Sequence, residues 1–127
     1  MKLRIKGNSI RLRLTKSEVD YFKKEGYLEE KTEFGNSTFI YAMQNKLYGE
    51  ELSAEFFDNK ITLSIPEHIS SEWTNTNRVG IESEMEIASE KKLFLLIEKD
   101  FKCLDNTIED QSDNYPNPLS EKVESEE

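Results

Sequence analysis

The sequence predicts a mainly β (α+β) domain. Two ββαββ units repeat in tandem and build a pseudo-twofold barrel or interleaved sandwich with two short helices. Three observations predict it. Apolar residues alternate with polar ones over short runs, the parity of that alternation switches across two-residue turn dipeptides, and the order of turns and helix starts recurs in the second half. Period-two alternation marks half-buried strands, and recurrence marks an internal repeat.

In KLRIKGNSIRLRL, Leu3 and Ile5 alternate with Lys2, Arg4 and Lys6, whereas Ile10, Leu12 and Leu14 alternate with Arg11 and Arg13. A two-residue turn at Gly7-Asn8 accounts for the switch. It sets Ile5 opposite Ile10 and Leu3 opposite Leu12, so one face stays apolar. Thr15 then caps a helix, with Glu18 at the capping-box position. GYLEEKTEF and STFIYAMQ flank a second dipeptide, Gly35-Asn36. After a linker near Asn45–Glu50 the order repeats. Asp58-Asn59 places Phe56 opposite Ile61, Ala54 opposite Leu63 and Leu52 opposite Ile65, and Pro66 suits a first helical turn. Phe22 and Trp73 fall at equivalent places and should anchor the helices. Val79, Ile81, Met85 and Ile87 alternate on one face, a looser turn spans Ala88–Lys91, and KLFLLIEKD closes the series. Phe94-Leu95-Leu96 is apolar on both faces, which suits a central or doubly covered strand.

The chain has 127 residues, room for one domain. Residues 1–118 are expected to form it, as two halves of about 1–45 and 51–100 plus a capping segment, 101–118. The charged stretch LSEKVESEE at 119–127 is expected to be a disordered acidic tail. A single Cys excludes an intrachain disulfide, and the N-terminus lacks the apolar region of a signal peptide. The longest apolar run, Leu93–Ile97, is far too short to cross a bilayer. A cytoplasmic protein with no membrane partner is expected. Net charge is −9, yet residues 1–16 hold six basic side chains and no acid.

Two resemblances accompany these patterns. MKLRIKGNSIRLRLTKSEV and LIEKDFKCLDNTIEDQSDNYPNP resemble the ends of a family of small bacterial proteins of unknown function. That likeness spans residues 1–118 and implies a bacterial protein without an assigned activity. Each half is also similar, more weakly, to the AbrB-type swapped-hairpin domain. The first half carries this likeness in Gly7-Asn8-Ser9, Ile10–Leu14, Thr15 and Gly26, and the second in Asn59, Ile61–Ile65, Pro66 and Gly80. In that family two chains interleave into one barrel. The resemblance implies that this chain interleaves its own halves.

Two candidate sites follow. Lys2, Arg4, Lys6, Arg11 and Arg13 form a basic ribbon on the face opposite the core, the kind of surface that meets phosphates. Overall acidity disfavours DNA as its partner. The second is a C-terminal cluster of Cys103, Asp105, Glu109, Asp110 and Asp113. Its carboxylates lack the spacing of a cation-binding loop, so no metal and no cofactor is expected. Cys103 has only one histidine in the chain, His68, as a possible base. The segment reads instead as a cap, with Tyr115 plugging one end of the fold and the acidic tail lying over the basic ribbon. The sequence therefore reads as a non-enzymatic binding module for a protein or small molecule. An AbrB-like DNA-binding regulator is the alternative, and a metal-dependent enzyme using the acidic segment the second alternative.

Overall fold

The computed structural model describes residues 1–101 and 112–116. In order, they form β1 (Lys2–Ile5), β2 (Ser9–Leu14), α1 (Lys16–Glu25), β3 (Tyr27–Glu33), β4 (Thr38–Lys46), β5 (Ser53–Phe57), β6 (Lys60–Pro66), α2 (Glu67–Asn75), β7 (Gly80–Ala88) and β8 (Lys91–Lys99). This is the ββαββ order twice. The tail expected at 119–127 lies outside the described residues.

The hairpin turns follow from local chemistry. Lys6 and Ser9 exchange two backbone hydrogen bonds of 3.2 Å around Gly7-Asn8, and Gly7 takes φ 54°, which glycine adopts freely. Asp58 and Asn59 both have positive φ, 51° and 62°, as a type I′ turn requires. The registers match the parity argument: Leu3 pairs Leu12, Ile5 pairs Ile10, Ala54 pairs Leu63 and Phe56 pairs Ile61. Across Gly35-Asn36 the Phe34 N–H donates to the Ser37 carbonyl at 2.8 Å. The fourth turn is tighter than its sequence suggests. Ala88 pairs Lys91, leaving Ser89-Glu90 as the loop, and a bulge between Glu86 and Ala88 takes up the extra residue. Ile87 sits in that bulge, half exposed, and not on a continuous apolar face.

Each sheet draws one hairpin from each half. The orders are β1-β2-β8-β7 and β3-β4-β6-β5. Within each sheet the two antiparallel hairpins join through a parallel pair, β2 on β8 and β4 on β6. Equivalent residues pair equivalently: Ile10 lies beside Leu95, and Ile61 beside Tyr41. This is the interleaving that the swapped-hairpin resemblance implied. The strand β8 is central, which explains its two apolar faces. Leu95 and Ile97 are buried in the core, while Phe94 and Leu96 occupy the outer surface.

The architecture is an interleaved sandwich, and the barrel expectation is corrected. Among the described residues no backbone ladder joins the sheet edges. Between β5 and β7 the Leu52 N–H donates to Ser83 Oγ at 3.0 Å, and the Ala54 N–H to Met85 Sδ at 3.4 Å. Between β1 and β3 the Met1 ammonium pairs with Glu30 at 2.8 Å and with Glu18. Side chains satisfy the edge groups that a closed barrel would pair by backbone. Three boundaries also shift. β4 runs through Asn45 to Lys46, Pro66 ends β6 as the N-cap of α2, and Val79 precedes β7.

The helices close one end. The Glu18 carboxylate accepts the Thr15 N–H at 2.9 Å, completing the expected box at the start of α1. Phe22 and Trp73, at the equivalent positions, are fully buried between the sheets with Leu14, Ile65, Met43 and Ile97. All four hairpin turns lie at the opposite end, because β2, β4, β6 and β8 each leave a turn and run toward the helices.

Neither half can complete a sheet alone, since the parallel pairs cross between them. Fragments 1–48 and 49–127, cut in the exposed loop after Lys46, should each show little ordered β signal by circular dichroism. Mixing them should restore the intact spectrum. A folded spectrum from either fragment alone would refute the dependence.

Candidate functional site

The five basic residues share the outer face of the β1-β2-β8-β7 sheet, where register alone puts them. Lys2 pairs Arg13 and Arg4 pairs Arg11 across the β1–β2 ladder, and β8 continues the face. Three of the five are engaged by carboxylates of their own sheet. Arg11 Nε donates to Glu98 Oε1 at 2.5 Å, and Arg13 Nε lies 3.1 Å from the same oxygen. Arg13 also reaches Asp100 at 3.7 Å, and Lys2 lies 3.3 Å from Asp100. Arg4 and Lys6 are exposed and have no ion pair among the described residues. On the far side of β8, strand β7 presents Glu82, Glu84 and Glu86 to solvent on the same face. Glu98 and Asp100 escaped the sequence reading because their neighbours are set by the parallel β2–β8 pair, a contact between residues more than eighty positions apart.

Cys103, Asp105, Glu109 and Asp110 lie outside the described residues. Asp113, the fifth member of that cluster, stands at the start of α1 and not on the ribbon. Its carboxylate accepts the Ser17 N–H at 3.2 Å and the Ser17 hydroxyl at 2.5 Å, while its carbonyl accepts the Lys16 N–H at 3.0 Å. These are N–H groups that a helix start leaves unpaired. The Ser17 hydroxyl, aided by that of Thr15, holds the Asp113 carboxyl below the usual carboxylate range. Among the described residues the carboxylates paired with the ribbon are Glu98 and Asp100. His68 is exposed on α2, 3.1 Å from Glu50. Among the described residues no cluster of three or more His, Cys, Asp or Glu could hold a metal ion. No helix among them is long and apolar enough to cross a membrane.

Residues 112–116 fold back onto the helix end. The Tyr115 N–H donates to the Asp100 carbonyl at 2.8 Å, and its ring packs on Phe101 at 5.6 Å between centroids. Burial, with the nearby charges of Asp20 and Asp113, pushes the Tyr115 hydroxyl up to about 12. Beside it lies a cleft of about 650 Å³ lined by Lys16, Asp20, Thr76, Asn77, Lys99 and Tyr115. The buried Lys99 ammonium donates to the Thr76 carbonyl at 2.7 Å and sits 5.8 Å and 5.6 Å from the Trp73 and Tyr115 ring centres. Desolvation pulls its pKa down. Its contacts are those of a helix C-terminal cap, which the carbonyl end of the α2 dipole favours.

The open end differs. A cavity of about 430 Å³ opens between the sheets, lined by Ile5, Ile10, Phe39, Phe56, Ile61 and Leu93 with Asn8 and Glu55 at its margin. Ile5 is 56% and Phe56 68% exposed, although strand parity points both inward. Sequence reasoning counted these as core. The missed signal is their position as the last inward-facing residues before a turn, beyond the reach of the helices.

The chain belongs to a family of unknown function (DUF7009), whose model matches residues 1–119. Neither a curated protein nor a solved structure matches it.

Glu98 bridges two guanidinium groups, so Glu98→Gln should release Arg11 and Arg13. On an anionic resin such as heparin the variant should elute at higher salt, with the salt slope raised by about one to two. An unchanged elution position would show that the ribbon is not masked by Glu98. A second test concerns acid. Because the Asp113 carboxyl titrates lower in the folded chain than its ordinary 3.8, its stabilising contribution is complete above that value. It is lost as pH falls through the folded value. The melting-temperature gap between wild type and Asp113→Asn should be present at neutral pH and close below pH 3.8. A gap independent of pH would exclude this role.

Proposed function

We propose that this protein is a non-enzymatic binding module that takes a small apolar or aromatic molecule into the open end of its sandwich. The observation that carries the reading is the contrast between the two ends. At one, Phe22 and Trp73 seal the sheets with no exposed surface. At the other, equivalent inward-facing positions of both halves, Ile5 with Phe56 and Ile10 with Ile61, surround an apolar cavity. Its volume is within the range of small-molecule sites, and apolar walls with a few polar groups at the margin are their usual composition. Leaving Ile5 and Phe56 partly in water forgoes a fraction, somewhat over half, of the roughly 1.5–3 kcal/mol that full burial of each would contribute. An apolar guest would recover part of it.

The DNA reading of the basic ribbon has less support. Arg11, Arg13 and Lys2 already face Glu98 and Asp100, and the Glu82–Glu84–Glu86 row shares their face. A polyanion laid there would meet carboxylates as well as cations.

The test uses an apolar fluorescent probe, 8-anilinonaphthalene-1-sulfonate. The folded protein should bind it saturably and with about one site, and Phe56→Asp should weaken binding at least tenfold. Phe56 is largely exposed, so the variant should keep its melting temperature within a few degrees. Non-saturable binding, or saturable binding indifferent to Phe56→Asp, would overturn the assignment.

A further inference from the structure

The outer face of the β1-β2-β8-β7 sheet is graded in charge from one edge to the other. Reading across the ladder, one row is Arg4, Arg11, Leu96, Glu82, and the next is Lys6, Ser9, Phe94, Glu84. A third row is Lys2, Arg13, Glu98, Gly80. Most cations lie on β1 and β2 and exposed carboxylates on β7, with the apolar pair Phe94 and Leu96 between them. Lys92 of β8 also lies on this face, 3.1 Å from Glu84. Phe94 is 48% exposed, and a shallow depression of about 650 Å³ runs along β8 over this face. No element of the described chain covers it.

We propose that this face binds the same face of a second copy of the chain, in an isologous twofold dimer. The gradient itself selects the partner and the axis. A twofold axis lying between the sheets, parallel to the strands and passing between β2 and β8, returns each row onto itself in reverse order. Arg4 then faces Glu82 of the other copy, and Lys6 faces Glu84, sharing that carboxylate with Lys92. Arg13 faces Glu98, and Phe94 covers Ser9. An axis perpendicular to the strands would instead set β7 carboxylates on β7 carboxylates, which like-charge repulsion disfavours. Self-complementarity under one operation is what a twofold interface demands. The cations that gain new partners, Arg4 and Lys6, are those of the ribbon without an ion pair among the described residues. Four strands span about 20 Å, which places the contact at the small end of specific interfaces. The dimer is therefore weak, reversible and salt-sensitive.

Sedimentation velocity on the full chain, from dilute to concentrated, tests this. Wild type should show a concentration-dependent dimer that weakens at high salt. Two surface variants then probe the rows: Glu82→Lys with Glu84→Lys, and Arg4→Glu with Lys6→Glu. Each alone should dissociate at least tenfold more readily, because each makes both edges alike in sign. Their equimolar mixture should form a heterodimer, since every row is again complementary, and that rescue shows that both variants remain folded. A monomeric wild type at low salt and high concentration would overturn the proposal. So would a wild-type dimer that both variants leave intact, or variants that fail to rescue each other.

Discussion

The parallel pairs β2–β8 and β4–β6 are the constraint on which the rest depends. A hairpin needs only a turn, but a parallel pair needs the chain to return to the starting end between its strands: from β4 to β6 it returns through β5, and from β2 to β8 through both helices and the whole second sheet. Leu12 beside Ile97 and Met43 beside Leu63 are the buried contacts that fix this. Once these strands run side by side, all four leave from turns at one end and arrive at the other. Both helices must then lie at the arrival end. The sealed end, the open end and the two outer faces all follow from that choice.

Within this shared plan the halves solve equivalent problems with different chemistry. The chain after α1 turns through Gly26, whose φ of 71° lets its N–H return to the Phe22 carbonyl at 2.7 Å. No glycine ends α2, and there the Lys99 ammonium reaches the Thr76 carbonyl. The residue equivalent to Lys99 on β4 is Asn45, which packs against Gly26. A similar division appears at the sheet edges. The Leu52 N–H, a neutral donor, meets the Ser83 hydroxyl, while the Met1 ammonium, a charge, meets Glu30 and Glu18. Burial, aided by the hydrogen bond to Glu30, raises the Tyr41 hydroxyl to about 12. A full charge needs a charged partner when buried, and a neutral N–H needs only an acceptor.

Whatever depends on neighbours in sequence was legible. The turns at Gly7-Asn8, Gly35-Asn36 and Asp58-Asn59, the registers across them, the Thr15–Glu18 box and the paired anchors Phe22 and Trp73 each rest on residues within a few positions. The sequence also placed Lys2, Arg4, Lys6, Arg11 and Arg13 on one face, because strand parity is local. What it could not supply was the identity of strands brought together from afar. Glu98 as the partner of Arg11, and β7 carboxylates on the same face as the basic ribbon, require the β2–β8 pair. The sandwich in place of a barrel turned on edge groups that Ser83 and Met85 satisfy, and no periodicity encodes that. Apolar parity likewise could not separate Ile5 from Leu12. Both point inward, and only distance from the helices decides which one is covered.

Net charge alone says little about the basic ribbon because it averages over surfaces that the fold keeps apart. An acidic chain is expected to repel anions at a distance, beyond about a Debye length of 8–10 Å. At contact range the relevant field is that of one sheet face, where register sets cations at one edge and carboxylates at the other. Such a face has little net charge but a large gradient. It discriminates by direction and not by sign: a uniform polyanion gains at one edge what it loses at the other, whereas a surface bearing the reverse gradient gains at both. The same sequence pattern that makes strands amphipathic thus also fixes which partners its outer surface can reject.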